Sequence, residues 1–350
     1  MIRSHSGFSL VELLIALLLG MILITGMGQL FVSANKTYVL QDELVRIQEN
    51  ARVTLELLTR DVRMAAYTGC PSWVQLGNAL FSEDQSRLWM THFDKGILGI
   101  PAGVSVKESV DKHAISEALV VHKVNWEGGV SVVSQNTDSM FVTLQTRHNF
   151  NQGDLLALVS QDCKQISIFI AGSNTSGSEV YYAAIPSGSL YNCTHLQQGS
   201  FNCMESQRGE KLFDHSKSQL VPVSSVAYYI RNSNGIPTLY MKRGGEDIFG
   251  RKLAAEALVE GVEALRVFYG YDADNDGIVN QYRLSSDMPI YGDEWKSIIS
   301  VKVEILIRSY RDVSPQPETY FFAGSDIIAN DKYIRRAFMT TIELRNRSRK

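Results

Sequence analysis

The clearest ligand-type pattern in this 350-residue chain is Asp272-Ala273-Asp274-Asn275-Asp276-Gly277. Acids at alternate positions followed by glycine match the first half of an EF-hand-type calcium loop. There, positions 1, 3 and 5 supply oxygens and Gly at position 6 permits the sharp turn. Counting on, Ile278 offers its carbonyl at position 7 and Asn280 falls at position 9, but position 12 is Arg283 where a bidentate Glu belongs. A further ligand has to come from elsewhere, and Asp287 is the candidate. The chemistry expected is weak calcium binding, in the range of about 10⁻⁴–10⁻³ M. The competing reading is an acidic surface turn, because Asp, Asn and Gly are favoured turn residues.

Catalytic chemistry has no comparable pattern. The chain lacks GxSxG, HExxH, GxxxxGK[ST] and a strand-linked GxGxxG, and its histidines (His5, His92, His113, His122, His148, His195 and His215) never pair at ligand spacing. The chain is not expected to be an enzyme. The four cysteines, Cys70, Cys163, Cys193 and Cys203, show no CxxC or CxxH metal spacing. A net charge of −3 makes no electrostatic case for nucleic acid, which would call for a basic patch or stripe.

The last chemically pointed residue is Glu12, because of where it sits. Residues 7–34, GFSLVELLIALLLGMILITGMGQLFVSA, are largely apolar and carry no charge except this acid. The run exceeds the ~20 residues that cross a bilayer. An acid in hydrocarbon costs roughly 2.5–3.5 kcal/mol on insertion scales, so it is expected to have a partner and a role. Ahead of the run lies only MIRSHSG, with Arg3 as its one fixed positive charge. An ordinary signal peptide carries its cleavage site after the apolar segment. Here Gly7 and Phe8 stand before it, so processing at that point would leave the helix on the protein.

Those elements must be held by others. Over residues 41–67 the apolar residues Leu44, Ile47, Ala51, Leu55, Leu58, Val62 and Ala65 recur at three- and four-residue steps. Asp42, Glu43, Arg46, Glu49, Arg52, Glu56, Arg60, Asp61 and Arg63 lie between them. That spacing predicts an amphipathic helix with its charged residues toward solvent or neighbours. With no proline before Pro71, one helix over residues 8–67 is possible, about 90 Å long. Gly20, Gly26 and Gly28 weaken its middle by about 1 kcal/mol each.

Past Pro71 the pattern changes. Residues 72–116 read as irregular; strands are expected at 118–124, 140–145, 155–159, 165–170, 223–231, 238–242, 298–310 and 338–345. Residues 257–271 read as strand, or as helix then strand. Asn234-Gly235 marks a hairpin turn. The stretch 171–178 (AGSNTSGS) is a loop. The fold expected is α+β: a long N-terminal helix, transmembrane in its first half and amphipathic in its second, packed on an antiparallel β-sheet domain.

The leader ending in Gly7, the aromatic Phe8 and Glu12 at the fifth position after the junction resemble the type IV prepilin N-terminus. The hairpin VSSVAYYIRNSNGIPTLYMKR, the stretch ALVEGVEALRVFYGYDADNDG, the strand SIISVKVEILIRSY and the terminal FMTTIELRNR are similar to the PilW-type minor pilins. The resemblance implies a leader over residues 1–7, an assembly helix over 8–34, an amphipathic continuation over 35–69 and an exported body over 70–350. It implies cleavage between Gly7 and Phe8, N-methylation of Phe8, and pairing of Glu12 with the Phe8 amine of a neighbouring subunit. It also implies a subunit that waits in the bacterial inner membrane, primes type IV pilus assembly and sits near the tip at the cell surface. Its partners would be the prepilin peptidase, the assembly platform, the major pilin, other minor pilins and a tip adhesin. A minor pseudopilin of type II secretion shares the N-terminal pattern, and a membrane-tethered calcium-dependent binding protein is the rival from another class. Many pilins carry a proline in the anchor, where this chain has glycines. Export to an oxidising compartment makes disulfides the expected use of the four cysteines. Four cysteines allow three connectivities; the nine-residue gap favours Cys193 with Cys203, leaving Cys70 for Cys163.

Overall fold

A computed structural model describes the chain apart from residues 1–8, 72–73, 106–108, 137, 174, 183–189, 195–202, 204–217, 248 and 348–350. One helix, Leu10–Arg63, runs unbroken through all three glycines for 54 residues, about 80 Å. Among the described residues its first half packs on no other element: Leu14, Leu18, Ile22 and Phe31 are all exposed. This segment is long and apolar enough to cross a membrane.

The second half docks on the body through Ile47, Ala51, Leu58 and Val62. The helix stops at Arg63, four residues short of the sequence expectation. Ala66 turns into the left-handed region at φ 59°. The chain then runs beside strand Ala118–Val124, with Ala66 N donating to His122 O and Val124 N to Tyr67 O.

Among the described residues two large sheets form most of the body, with two two-stranded ribbons beside them. In the larger, strand Ser218–Ser233 is central and pairs antiparallel with Ile236–Arg243, Ala118–Val124, Leu155–Ser160 and Val130–Asn136. Its hairpin turn has Asn234 at φ 52° and Gly235 at φ 86°, the two positive values a type I′ turn requires. The α+β fold expected from sequence, a long helix on a mostly antiparallel β body, is present, with two refinements. Strand Gln75–Asn78 pairs parallel with Gln165–Ile170. A separate antiparallel sheet orders Gln281–Leu284, Val262–Tyr271, Ile298–Arg308 and Arg335–Glu343. Residues 72–116, read as irregular, hold three short strands as well, of which Ile97–Ile100 is buried at every position.

The sheets meet closely. A Cβ on Gly99 would stand 2.4 Å from the Tyr269 hydroxyl, so a side chain there would force Tyr269 or Ser285 aside. Beside it, Glu117 Oε1 accepts from Val267 N (2.6 Å) and Oε2 from the Ser285 hydroxyl (2.7 Å). Burial pushes the Glu117 carboxyl up to about 7. In the main core His122 bonds Ser225 Oγ through Nδ1 at 2.8 Å, and burial holds its imidazole down at about 3.

Candidate functional site

At its membrane end the helix is capped by its own side chains. Ser9 is extended (φ −74°, ψ 143°) and its hydroxyl accepts from Val11 N at 3.2 Å. Glu12 Oε2 reaches back to accept from Ser9 N at 3.1 Å, closing a capping box. Helix N-termini leave donors unsatisfied, and this pair satisfies two of them reciprocally. The Ser-x-x-Glu spacing of 9–12 is legible in the sequence, but reading Glu12 for an intersubunit partner alone passes over it. Gly7 and Phe8 lie outside the described residues.

At the docking end two acids placed by sequence on the face toward solvent or neighbours are instead buried in the body: Glu43 is 1% and Asp61 5% exposed. Glu43 Oε2 accepts from Tyr310 N at 2.7 Å. Asp61 accepts from the Tyr228 hydroxyl at 2.6 Å and from Lys123 Nζ at 2.9 Å. Burial works against the Asp61 carboxylate, but Tyr228 and Lys123 outweigh it and hold its pKa below the usual range. Burial and then the Asp61 charge push the Tyr228 phenol up. Helical periodicity places these acids one step from the apolar stripe; only their distant partners put them inside it. Asn50 Nδ2 adds a bond to Glu260 O at 3.0 Å.

Two disulfides fasten the body in the pairing favoured by the short gap. Cys70 is joined to Cys163, with Cα atoms 5.3 Å apart, and Cys193 to Cys203 at 6.1 Å. The first ties the chain just beyond the helix to the turn between strands Leu155–Ser160 and Gln165–Ile170.

The acidic loop joins strands Val262–Tyr271 and Gln281–Leu284. Carboxylate oxygens of Asp272, Asp274 and Asp276 lie within 4.8 Å of one another, Asp272 buried and the other two exposed. Asp272 accepts from Asp276 N (3.2 Å) and Gly277 N (2.9 Å), and Asp276 from Ile278 N (2.7 Å). Burial opposes the Asp272 carboxylate, but backbone N–H groups of Gly277, Asn275 and Asp276 outweigh it and lower its pKa. Three hard oxygen donors this close have the chemistry of a calcium site. The other residues counted toward one differ in their surroundings. The Asn280 side-chain oxygen already accepts from Ala273 N at 2.5 Å. Arg283 lies over the Tyr271 ring, 4.0 Å from its centroid. Asp287 accepts from Leu284 N at 3.2 Å and does not join the cluster, a correction to its reading as a further ligand. The side chain of Ile278 points into solvent at 66% exposure.

Two family models match the chain. The prokaryotic N-terminal methylation motif covers residues 2–28, and the type IV pilus-assembly protein W family covers residues 227–346. No curated protein matches. Among solved structures, a type IV-like pilin from Thermus thermophilus aligns over 86% of this chain and 98% of its own, at 11% identity and a TM-score of 0.31. That superposition is too loose to bear on function.

Proposed function

We propose, for a chain that is a type IV pilin-like protein with a PilW domain, the work of a minor pilin. In this reading it is a non-enzymatic structural subunit, cleaved between Gly7 and Phe8 and methylated on the Phe8 amine. It waits in the inner membrane on its apolar half-helix, then joins the other minor pilins to prime assembly and sits near the pilus tip. The observation that carries the reading is the division of one helix. Among the described residues, residues 10–33 stay exposed and pack on no other element, while the docked half is fixed to the body by buried Glu43 and Asp61. A free apolar half-helix needs lipid or neighbouring helices, and a filament core supplies the second.

In the monomer Glu12 serves its own N-terminus through Ser9 N. On assembly it exchanges that donor for the Phe8 amine of a neighbour. Weak calcium binding by Asp272, Asp274 and Asp276, with the Ile278 carbonyl and Asn280, belongs to the same reading and is supported by the proximity of the three carboxylates.

Mass spectrometry of sheared pili tests the assignment. A Phe8-initiated chain in the filament supports it; recovery only from a secretion complex, or as an uncleaved membrane protein, refutes it. Gly7→Ile should leave the seven-residue leader attached, because the peptidase must fit the chain closely at that bond. For the loop, calcium titrated to millimolar should raise the thermal midpoint of the wild-type chain and not that of Asp274→Ala.

A further inference from the structure

The strand Ser218–Ser233 changes partners at Pro222, and the change opens a cleft. Up to Pro222 it pairs with Leu155–Ser160; from Val226 it pairs with Ile236–Arg243 on the same side. On its other side Ala118–Val124 takes over from Val130–Asn136 at Val223. Where the departing and arriving strands splay apart, a cleft of about 600 Å³ remains, a size that suits a small ligand.

Two guanidiniums line this cleft, on a chain whose net charge is −3. Arg147 is exposed and has no hydrogen-bond or ion-pair partner among the described residues. Arg243 meets Glu256 at 3.3 Å through Nε, with both side chains more than half exposed, a surface pair worth little. Asn125, Asn149 and Ser224 add neutral hydrogen-bonding groups. The one acid in the lining, Asp154, accepts from Asn151 N at 2.8 Å, and burial pushes its carboxyl up.

Backbone acceptors on both flanks of the floor are already taken. Pro222 O accepts from Asn125 N (2.8 Å) and Ser225 O from Gly244 N (2.7 Å). The lining side chains supply the recognition: guanidinium for carboxylate, which it pairs with in bidentate geometry, and amide or hydroxyl for hydroxyl. We infer that this cleft binds a short anionic oligosaccharide bearing ring carboxylates, a uronate-type sugar chain. The two arginines take the carboxylates, and the asparagines and serine read the ring hydroxyls.

The test is calorimetry on the purified full chain in detergent micelles, with trigalacturonate as probe, so its outcome is independent of incorporation into pili. Saturable heat is expected with trigalacturonate and none with neutral galactotriose. Arg147→Gln and Arg243→Gln should each weaken binding about tenfold, as loss of a charge-assisted bond does. Lys164→Gln, which removes an exposed cation elsewhere, should leave affinity unchanged. All three variants are surface changes whose thermal midpoints should match wild type. Absence of heat, or equal affinity in the arginine variants, overturns the inference. So does triglutamate binding as tightly as the sugar, because a peptide would then satisfy the site.

Discussion

Residues 10–33 and residues 43–62 belong to one uninterrupted helix, yet almost nothing that holds the second in place acts on the first. The membrane half has exposed leucines on every side and two side chains closing its end. The docked half buries a narrow stripe in which Glu43 and Asp61 stand among Ile47, Ala51, Leu58 and Val62. In the first half the backbone ladder and the surrounding medium maintain the helix; in the second, tertiary packing does. One rod thus serves two solvents, and substitutions should sort by half.

The largest effect is expected at Asp61. Asp61→Ala leaves Lys123 and the Tyr228 hydroxyl without their acceptor, and losing one partner of a buried pair costs about 3–5 kcal/mol. Chemical denaturation of the full chain in micelles reads this directly. Asp61→Asn, which keeps an acceptor, should lose less; equal loss would mean that packing rather than charge is at stake. Next is the tie beyond the helix. Replacing Cys70 and Cys163 together by Ser should cost about 2–4 kcal/mol, with the helical signal of the membrane half unchanged by circular dichroism.

The contact between the sheets contributes a pH dependence. As pH rises, the unfolded chain loses the Glu117 proton near 4.5 while the native chain keeps it to about 7, so this group removes stability across that window. His122 acts in the opposite sense. The unfolded chain binds its proton below 6.5 and the native chain only near 3, so its contribution grows with pH between those values. Over pH 4.5–6.5 the two slopes oppose each other. Glu117→Gln should uncover the His122 slope, with a thermal midpoint that climbs toward pH 6.5 and no longer falls above it. A profile identical to wild type would mean that Glu117 titrates normally.

In the membrane half the effects on stability should be smallest. Glu12→Ala forfeits the reciprocal half of the capping box while Ser9 keeps its bond to Val11 N, and leaves the denaturation midpoint of the body unmoved. Its incorporation into pili should nonetheless fall sharply. Leu17→Ala in micelles should change body stability by less than about 0.5 kcal/mol. A larger change would mean that the half-helix packs on the body after all.

Much of the local architecture is readable from residue order. Val-rich 118–124 and Ile-rich 165–170 stand as strands with the expected limits, and Asn234-Gly235 makes the expected turn. Periodicity reports which residues could share a face, however, and not what they will meet there. Asp61 is indistinguishable from Arg60 by pattern until Tyr228, 167 positions away, arrives over it. Short segments fail for a related reason. Ile97–Ile100 is too brief to display a period and is buried on both faces, so nothing alternates. The acidic loop was legible as a cluster, but the diversion of Asp287 to Leu284 N and of Arg283 to Tyr271 depends on side-chain geometry.

The Cys70–Cys163 bond has a mechanical consequence. A filament under tension loads each subunit between its helix and whatever grips its body. Where that grip lies beyond residue 163, force passes from Cys70 to Cys163 through sulfur and bypasses the intervening chain. The two cysteines are 93 positions apart, so roughly 300 Å of polypeptide is withheld from extension. Stretching a single molecule before and after reduction would release that length as slack, so an intact bond acts as a strain limiter set just above the membrane helix.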